Sequence, residues 1–129
     1  MTVEQLLAKS QRALLSAKEL LAANDPDGAC NRAYYAMFDA ARAALLSLKA
    51  PVLPETIKTH AGLNRAFALH VVKQGLFPAD IGKAIQQIEE LRLIADYDGN
   101  PLEVDDASQA VMQAQIFVAE VITRFMPAV

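Results

Sequence analysis

DPDGACNRAYYAMFDAARAALLSLK, residues 25–49, is the stretch on which the fold turns. Asp25 followed by Pro26 makes a helix start, because the carboxylate can accept free backbone N–H groups and proline's fixed φ suits a first turn. From there to about Lys49, Cys30, Tyr34, Met37, Ala41, Ala44 and Leu48 recur at steps of three and four, an apolar stripe along one helix face. The stretch stops at Ala50-Pro51-Val52-Leu53-Pro54, where two prolines restrict the residues before them.

Working outward, four more helices follow from punctuation and periodicity. The first begins at the capping box Thr2-Val3-Glu4-Gln5, carries Val3, Leu6, Leu7, Leu14, Ala17 and Leu21, and stops near Asn24. The third starts at Pro54 or Glu55, carries Ile57, Ala61, Phe67, Ala68 and Val71, and ends at Gly75. The fourth runs from about Pro78 through Ile81, Ala84, Ile85, Ile88, Leu91 and Ala95 to the stop signal Asp98-Gly99-Asn100-Pro101. The fifth is expected to be capped by Asp105 and to run through Val111, Met112, Gln115, Phe117, Val118, Val121 and Ile122 towards Pro127. Nothing alternates with period two, and short connections favour antiparallel neighbours. The expected fold is all-α, an up-and-down bundle of four to five helices forming one domain over residues 1–129.

Composition agrees. Hydrophobic residues make up 53% of the 129-residue chain and charged residues 21%, which excludes a disordered chain. Aromatics are only 6% and Trp is absent, so Ala and Leu must fill much of the core, which suits close-packed helices. Cys30 stands alone and can form no internal disulfide, which fits a reducing compartment. No apolar run reaches the roughly 20 residues of a membrane span and no signal-peptide pattern opens the chain, so a cytoplasmic protein is expected. Net charge is −3, yet residues 1–75 hold nine Lys/Arg against six Asp/Glu and residues 76–129 three against nine. The first part is therefore +3 and the second −6. Any contact with nucleic acid must come from a local basic patch.

Three polar constellations stand apart from the core pattern. In the second helix Arg32, Tyr35, Asp39 and Arg42 share a face, with Tyr35 able to bond Arg32 or Asp39. They form either a solvated face with ordinary ion pairs or a polar groove or dimer surface. In the fourth helix Arg92 occupies a step of the apolar stripe, with Asp96 one turn on and Tyr97 next to it. That pair either closes the bundle end or presents a guanidinium to phosphate, with the Tyr97 hydroxyl nearby. In the third, Lys58-Thr59-His60 places His60 beside the apolar stripe, where a packed, hydrogen-bonded histidine is the ordinary outcome. An anion site would form where the second and third helices meet the fourth.

Other chemistries lack their residues. Two His and one Cys make no structural zinc site, and there is neither a glycine-rich phosphate loop nor a nucleophile elbow. Asp96, Asp98, Glu103, Asp105 and Asp106 straddle a turn without the ordered spacing of a calcium loop. No metal and no cofactor is expected.

The run Asn31-Arg32-Ala33-Tyr34-Tyr35-Ala36-Met37-Phe38-Asp39-Ala40-Ala41-Arg42-Ala43 resembles the signature helix of small stand-alone HEPN-domain proteins (higher eukaryotes and prokaryotes nucleotide-binding). Lys58-Thr59-His60-Ala61-Gly62-Leu63, Val72-Lys73-Gln74-Gly75 and Arg92-Leu93-Ile94-Ala95-Asp96-Tyr97-Asp98 follow in the matching order. The resemblance implies a helical bundle, commonly a homodimer, often paired with a minimal nucleotidyltransferase as toxin and antitoxin. It also implies a metal-independent ribonuclease with an Arg-x(4–6)-His motif, in which arginine stabilises the charged phosphorane-like state and histidine moves the proton. Here the arginine maps to Arg92; no His follows His70, and Tyr97 stands where the histidine would. Asp39 takes a place in the tyrosine-rich helix where relatives often carry His or another polar group. Tyr97 is also the nearest match to the tyrosine that partner transferases modify in some HEPN toxins. The expected catalytic residues are Arg92 and Tyr97, with Arg32, Tyr35, Asp39, Lys58, His60 and Asp96 as binding or groove residues for RNA or nucleotide. The competing expectation is a non-catalytic module that binds nucleotide or a protein partner.

Overall fold

A computed structural model describes residues 1–126. Its elements are α1 (Val3–Ala22), α2 (Pro26–Ser47), a 3₁₀ turn (Thr56–Lys58), α3 (His60–Phe67) running on into a π-turn (Ala68–Val72), the one-turn α4 (Ala79–Gly82), α5 (Ala84–Tyr97) and α6 (Val104–Phe125). No strand occurs among the described residues. The bundle is all-helical, as the periodicity requires.

The helix starts follow local chemistry. Thr2 and Gln5 make the reciprocal capping box, and the Gly28 N–H donates to Asp25 Oδ1 at 3.0 Å with Pro26 in the first turn. α2 lies at the centre and packs against α1, α6, α5 and α3. Small side chains permit that: Ala29, Ala33, Ala36, Ala40 and Ala44 are fully buried on α2, opposite Ala13 and Ala17 of α1. At this close approach the buried Ser10 hydroxyl of α1 donates to the Ala36 carbonyl at 2.6 Å. Phe67, Phe77 and Phe117 stack at centroid separations of 5.1–5.4 Å and fill the far end of the core.

Four expectations need correction. The third helix is not continuous from Pro54 to Gly75. Thr59 interrupts it, because its Oγ1 accepts the Gly62 N–H at 3.0 Å and starts a new helix at His60. The buried face of the helix that starts there runs through Leu63, Ala66, Phe67 and Val71, while Ala61 and Ala68 are exposed. The fourth helix is broken at Lys83 into α4 and α5. The expected fifth helix is α6, capped at Glu103 without a side-chain bond and not at Asp105. Asp105 and Asp106 sit inside its first turn, where the helix dipole favours carboxylates. Met112 and Gln115 face solvent instead of the core, and the expected stop at Pro127 lies outside the described residues. The Leu102 N–H donates to Asp27 Oδ1 at 2.8 Å, which pins the α5–α6 connection to the start of α2.

Candidate functional site

Arg92 lies on the buried face of α5, in line with Ile85 and Ile88, and is 8% exposed. Its guanidinium covers the ring of Tyr34, with Cζ 5.1 Å from the centroid, and Nη1 donates to Asp96 Oδ2 at 3.0 Å. The aromatic face and the carboxylate offset the desolvation of a buried cation. They do not saturate it. A guanidinium has five N–H donors in a fixed fork, and Nε of Arg92 is buried without a partner. Asp96 is about half exposed (48% of its side chain), so the pair stands at the edge of the bundle.

Tyr34 joins this arginine to the third helix. It is fully buried at the centre of α2, and a 2.8 Å hydrogen bond joins its hydroxyl to Nδ1 of His60. Burial, reinforced by the nearby Glu89 carboxylate and opposed by Arg92, raises the Tyr34 pKa well above the ordinary phenol value. Tyr34 is therefore a neutral phenol at physiological pH. His60 is half-buried at the first position of α3, its ring 5.2 Å from Tyr34, 5.4 Å from Phe38 and 6.0 Å from Tyr35. Beside it, Asn64 Nδ2 donates to Glu89 Oε2 at 2.5 Å and links α3 to α5. The fork of Arg92 and the imidazole of His60 thus rest on one tyrosine.

The remaining expected residues divide between two places. Arg32, Tyr35 and Asp39 line a groove of about 280 Å³ with Arg42, completed by Lys9 and Arg12 from α1. Asp39 Oδ1 lies 3.7 Å from Arg42 Nη1. Tyr35 does not hydrogen-bond Arg32 or Asp39; its ring packs edge-on against Tyr34 at 5.4 Å. Asp39 is 8% exposed, and desolvation raises its pKa against the pull of Lys9, Arg42 and Arg32. Lys58 is exposed at the end of the 3₁₀ turn, two residues before His60. Tyr97 is 86% exposed at the end of α5, away from the guanidinium it was expected to approach. Five residues turn a helix through about 500°, so Arg92 and Tyr97 point about 140° apart, whereas Asp96 at four residues returns to the same face.

Sequence reasoning placed Tyr34 in the apolar stripe and so missed it as the hub. The available signal was that a buried tyrosine hydroxyl usually finds a polar partner. Asn64, Glu89 and the two α1 cations carried no such signal. Among the described residues no three His, Cys, Asp or Glu side chains converge on a point that could hold a metal ion, and no helix is long and apolar enough to cross a membrane.

The HEPN domain family matches this chain over residues 3–124. A UPF0332 protein of Gloeobacter violaceus is 32% identical over 117 residues, 89% of each chain. Two Methanocaldococcus jannaschii proteins carry the name "putative toxin". One is 30% identical over 116 residues, 90% of this chain and 83% of its own. The other is 26% identical over 117 residues, 90% of this chain and 76% of its own.

Proposed function

The chain belongs to the HEPN family, with toxin-like relatives, and on that premise we propose that it is the HEPN component of a toxin–antitoxin pair that acts on RNA. Arg92 is the phosphate-binding residue in this reading. The observation that carries it is that one tyrosine, Tyr34, holds both the Arg92 fork, which keeps donor capacity beyond its bond to Asp96, and the imidazole of His60. In RNA cleavage the 2′-hydroxyl attacks the adjacent phosphorus and the bond to the 5′-oxygen breaks. The guanidinium stabilises the charge that builds on the phosphate oxygens, and His60, in place of the absent motif histidine, takes the proton of the attacking 2′-hydroxyl and returns one to the departing 5′-oxygen.

The partner is a minimal nucleotidyltransferase, and Tyr97 is its acceptor. The exposure of Tyr97 supports this, since a modifying enzyme must reach the phenol oxygen. A homodimer would bring two such sites together.

The test is an RNA cleavage assay of wild type beside Arg92→Ala, His60→Ala and Tyr97→Phe. Loss of cleavage in the first two, with activity retained in Tyr97→Phe, is the expected pattern. Cleavage indifferent to Arg92→Ala would exclude the site. A second reading, a non-catalytic nucleotide- or partner-binding module, is favoured by one observation: the residue in the motif histidine's place, Tyr97, is turned away from Arg92. Tight nucleotide binding without RNA cleavage would select it.

A further inference from the structure

We propose that the groove between α1 and α2 is a binding track for the phosphates of single-stranded RNA, with Lys9, Arg12, Arg32 and Arg42 as its cations. The choice of RNA among polyphosphates rests on the function proposed above; the anionic character of the ligand does not. In a chain of net charge −3, four cations and one carboxylate line this groove. Lys9 and Arg12 are three residues apart on α1, and Arg32, Asp39 and Arg42 share a face of α2, so the cations stand in two facing rows. Asp39 is a single carboxylate among four cations and offsets at most one of them; among the described residues its one ion pair, with Arg42, is loose at 3.7 Å. Nε of Arg42 is buried without an acceptor, while the guanidinium lies over Phe38 at 5.9 Å. Like charges gathered at this range repel one another unless a counter-anion occupies the space between them.

The aromatic wall specifies the ligand further. Tyr35 and Phe38 line the groove, and both rings neighbour His60, which is bonded to the tyrosine beneath Arg92. Phe38 is a buried wall of the groove at 7% exposure, so half-buried Tyr35 is the ring that presents surface to a base while the cations follow the backbone, the way single strands are held. Cations spread along two helices suit successive phosphates of a strand better than the single phosphate cluster of a mononucleotide. The wall shared with His60 runs the strand from the groove towards Arg92.

The experiment is fluorescence anisotropy of the full chain with a labelled, 2′-O-methylated RNA of about 12 nucleotides, which cannot be cleaved through its 2′-oxygens, between about 50 and 200 mM salt. Wild type is compared with Lys9→Gln/Arg12→Gln, both exposed positions on α1, and because Lys9 faces the Asp39 carboxylate the melting temperature of each protein is recorded beside its binding, so that lost affinity is read only on folded chains. The double variant is expected to bind about tenfold more weakly at low salt and to lower the log–log salt slope by about 1.4, or about 0.7 for each lost phosphate contact. An unchanged slope and affinity would overturn the track, as would wild type that fails to bind the RNA. ATP that binds while RNA does not would also overturn it, and would make the groove a mononucleotide site. Cleavage of unmodified RNA is measured in parallel. RNA bound through the groove but left uncut by wild type refutes the ribonuclease reading and keeps the track, and the reverse pattern refutes the track alone.

Discussion

The hydroxyl of Tyr34 and Nδ1 of His60 lie 2.8 Å apart across 26 residues of chain. This bond fixes the first residue of α3 against the central helix, and Arg92 packs on the same tyrosine, its Cζ 5.1 Å from the ring centroid. A residue that serves the core thereby also sets the positions of the two groups best suited to phosphate chemistry.

Tyr34→Phe separates those roles. The ring stays, so the core and the Arg92 stack persist, while His60 loses its anchor. Removing one net hydrogen bond should cost about 1 kcal/mol, a fall in melting temperature of about 3–5 °C, and RNA cleavage should fall by more than stability alone explains. Tyr34→Ala should cost about 3–5 kcal/mol because it also opens a cavity. Thermal unfolding of both variants checks this, and equal losses would show that the hydroxyl, not the ring, dominates.

Gly62 controls the same histidine from the backbone. A Cβ there would meet the Thr56 carbonyl oxygen at 1.9 Å and Thr59 Oγ1 at 2.6 Å, so Gly62→Ala must displace the turn that caps α3. Alanine gains about 1 kcal/mol of helix propensity, but the clash and the lost cap cost more, leaving a net loss of about 1–2 kcal/mol. Gly99→Ala has open space around it and should change stability by less than about 0.5 kcal/mol. Chemical denaturation of the two variants compares them directly.

Cys30 is fully buried, and desolvation together with the Asp27 charge pushes its pKa up to about 12. A rise from 9.0 cuts the thiolate fraction about a thousandfold at neutral pH, before any steric barrier. A disulfide reagent should leave the native thiol unmodified and titrate one thiol per chain only in denaturant. Rapid labelling of the folded protein would contradict the buried placement of this helix face.

How much of this was legible depended on whether the controlling interaction is local. The starts of α1 and α2 are written in adjacent residues, Thr2 with Gln5 and Asp25 with Pro26, and both were readable. The break at Thr59 was not, since a threonine inside a helical pattern caps only when the preceding turn folds beneath it. Arg92 announced itself as a cation on an apolar stripe. Its partner Tyr34 did not, because a hub and a filler tyrosine occupy the same stripe position. The groove was half visible: α2 showed its own row, whereas Lys9 and Arg12 join it only through the packing of α1 on α2, which no single-helix pattern contains.

Asp39 ties stability to the charge of that groove. Its raised pKa means that the folded chain holds the carboxyl proton more tightly than the unfolded chain does. The stability this adds is fully present below the ordinary carboxylate range, near pH 3.9, and is lost as pH rises through the folded value. At pH 7 the ionised carboxylate is therefore a burden that Lys9 from α1 and Arg32 and Arg42 from α2 offset only in part. Asp39→Asn should be more stable than wild type at neutral pH, with the gap closing as the buffer is taken down to about pH 4. The same change removes the one carboxylate from the groove, so RNA should bind more tightly at about 50 mM salt, with the gain shrinking at about 200 mM. Melting curves across pH and anisotropy across salt measure the two effects independently. An Asn variant less stable than wild type at pH 7 would show that the 3.7 Å pair with Arg42 outweighs desolvation, and unchanged RNA affinity would show that the groove carries no polyanion.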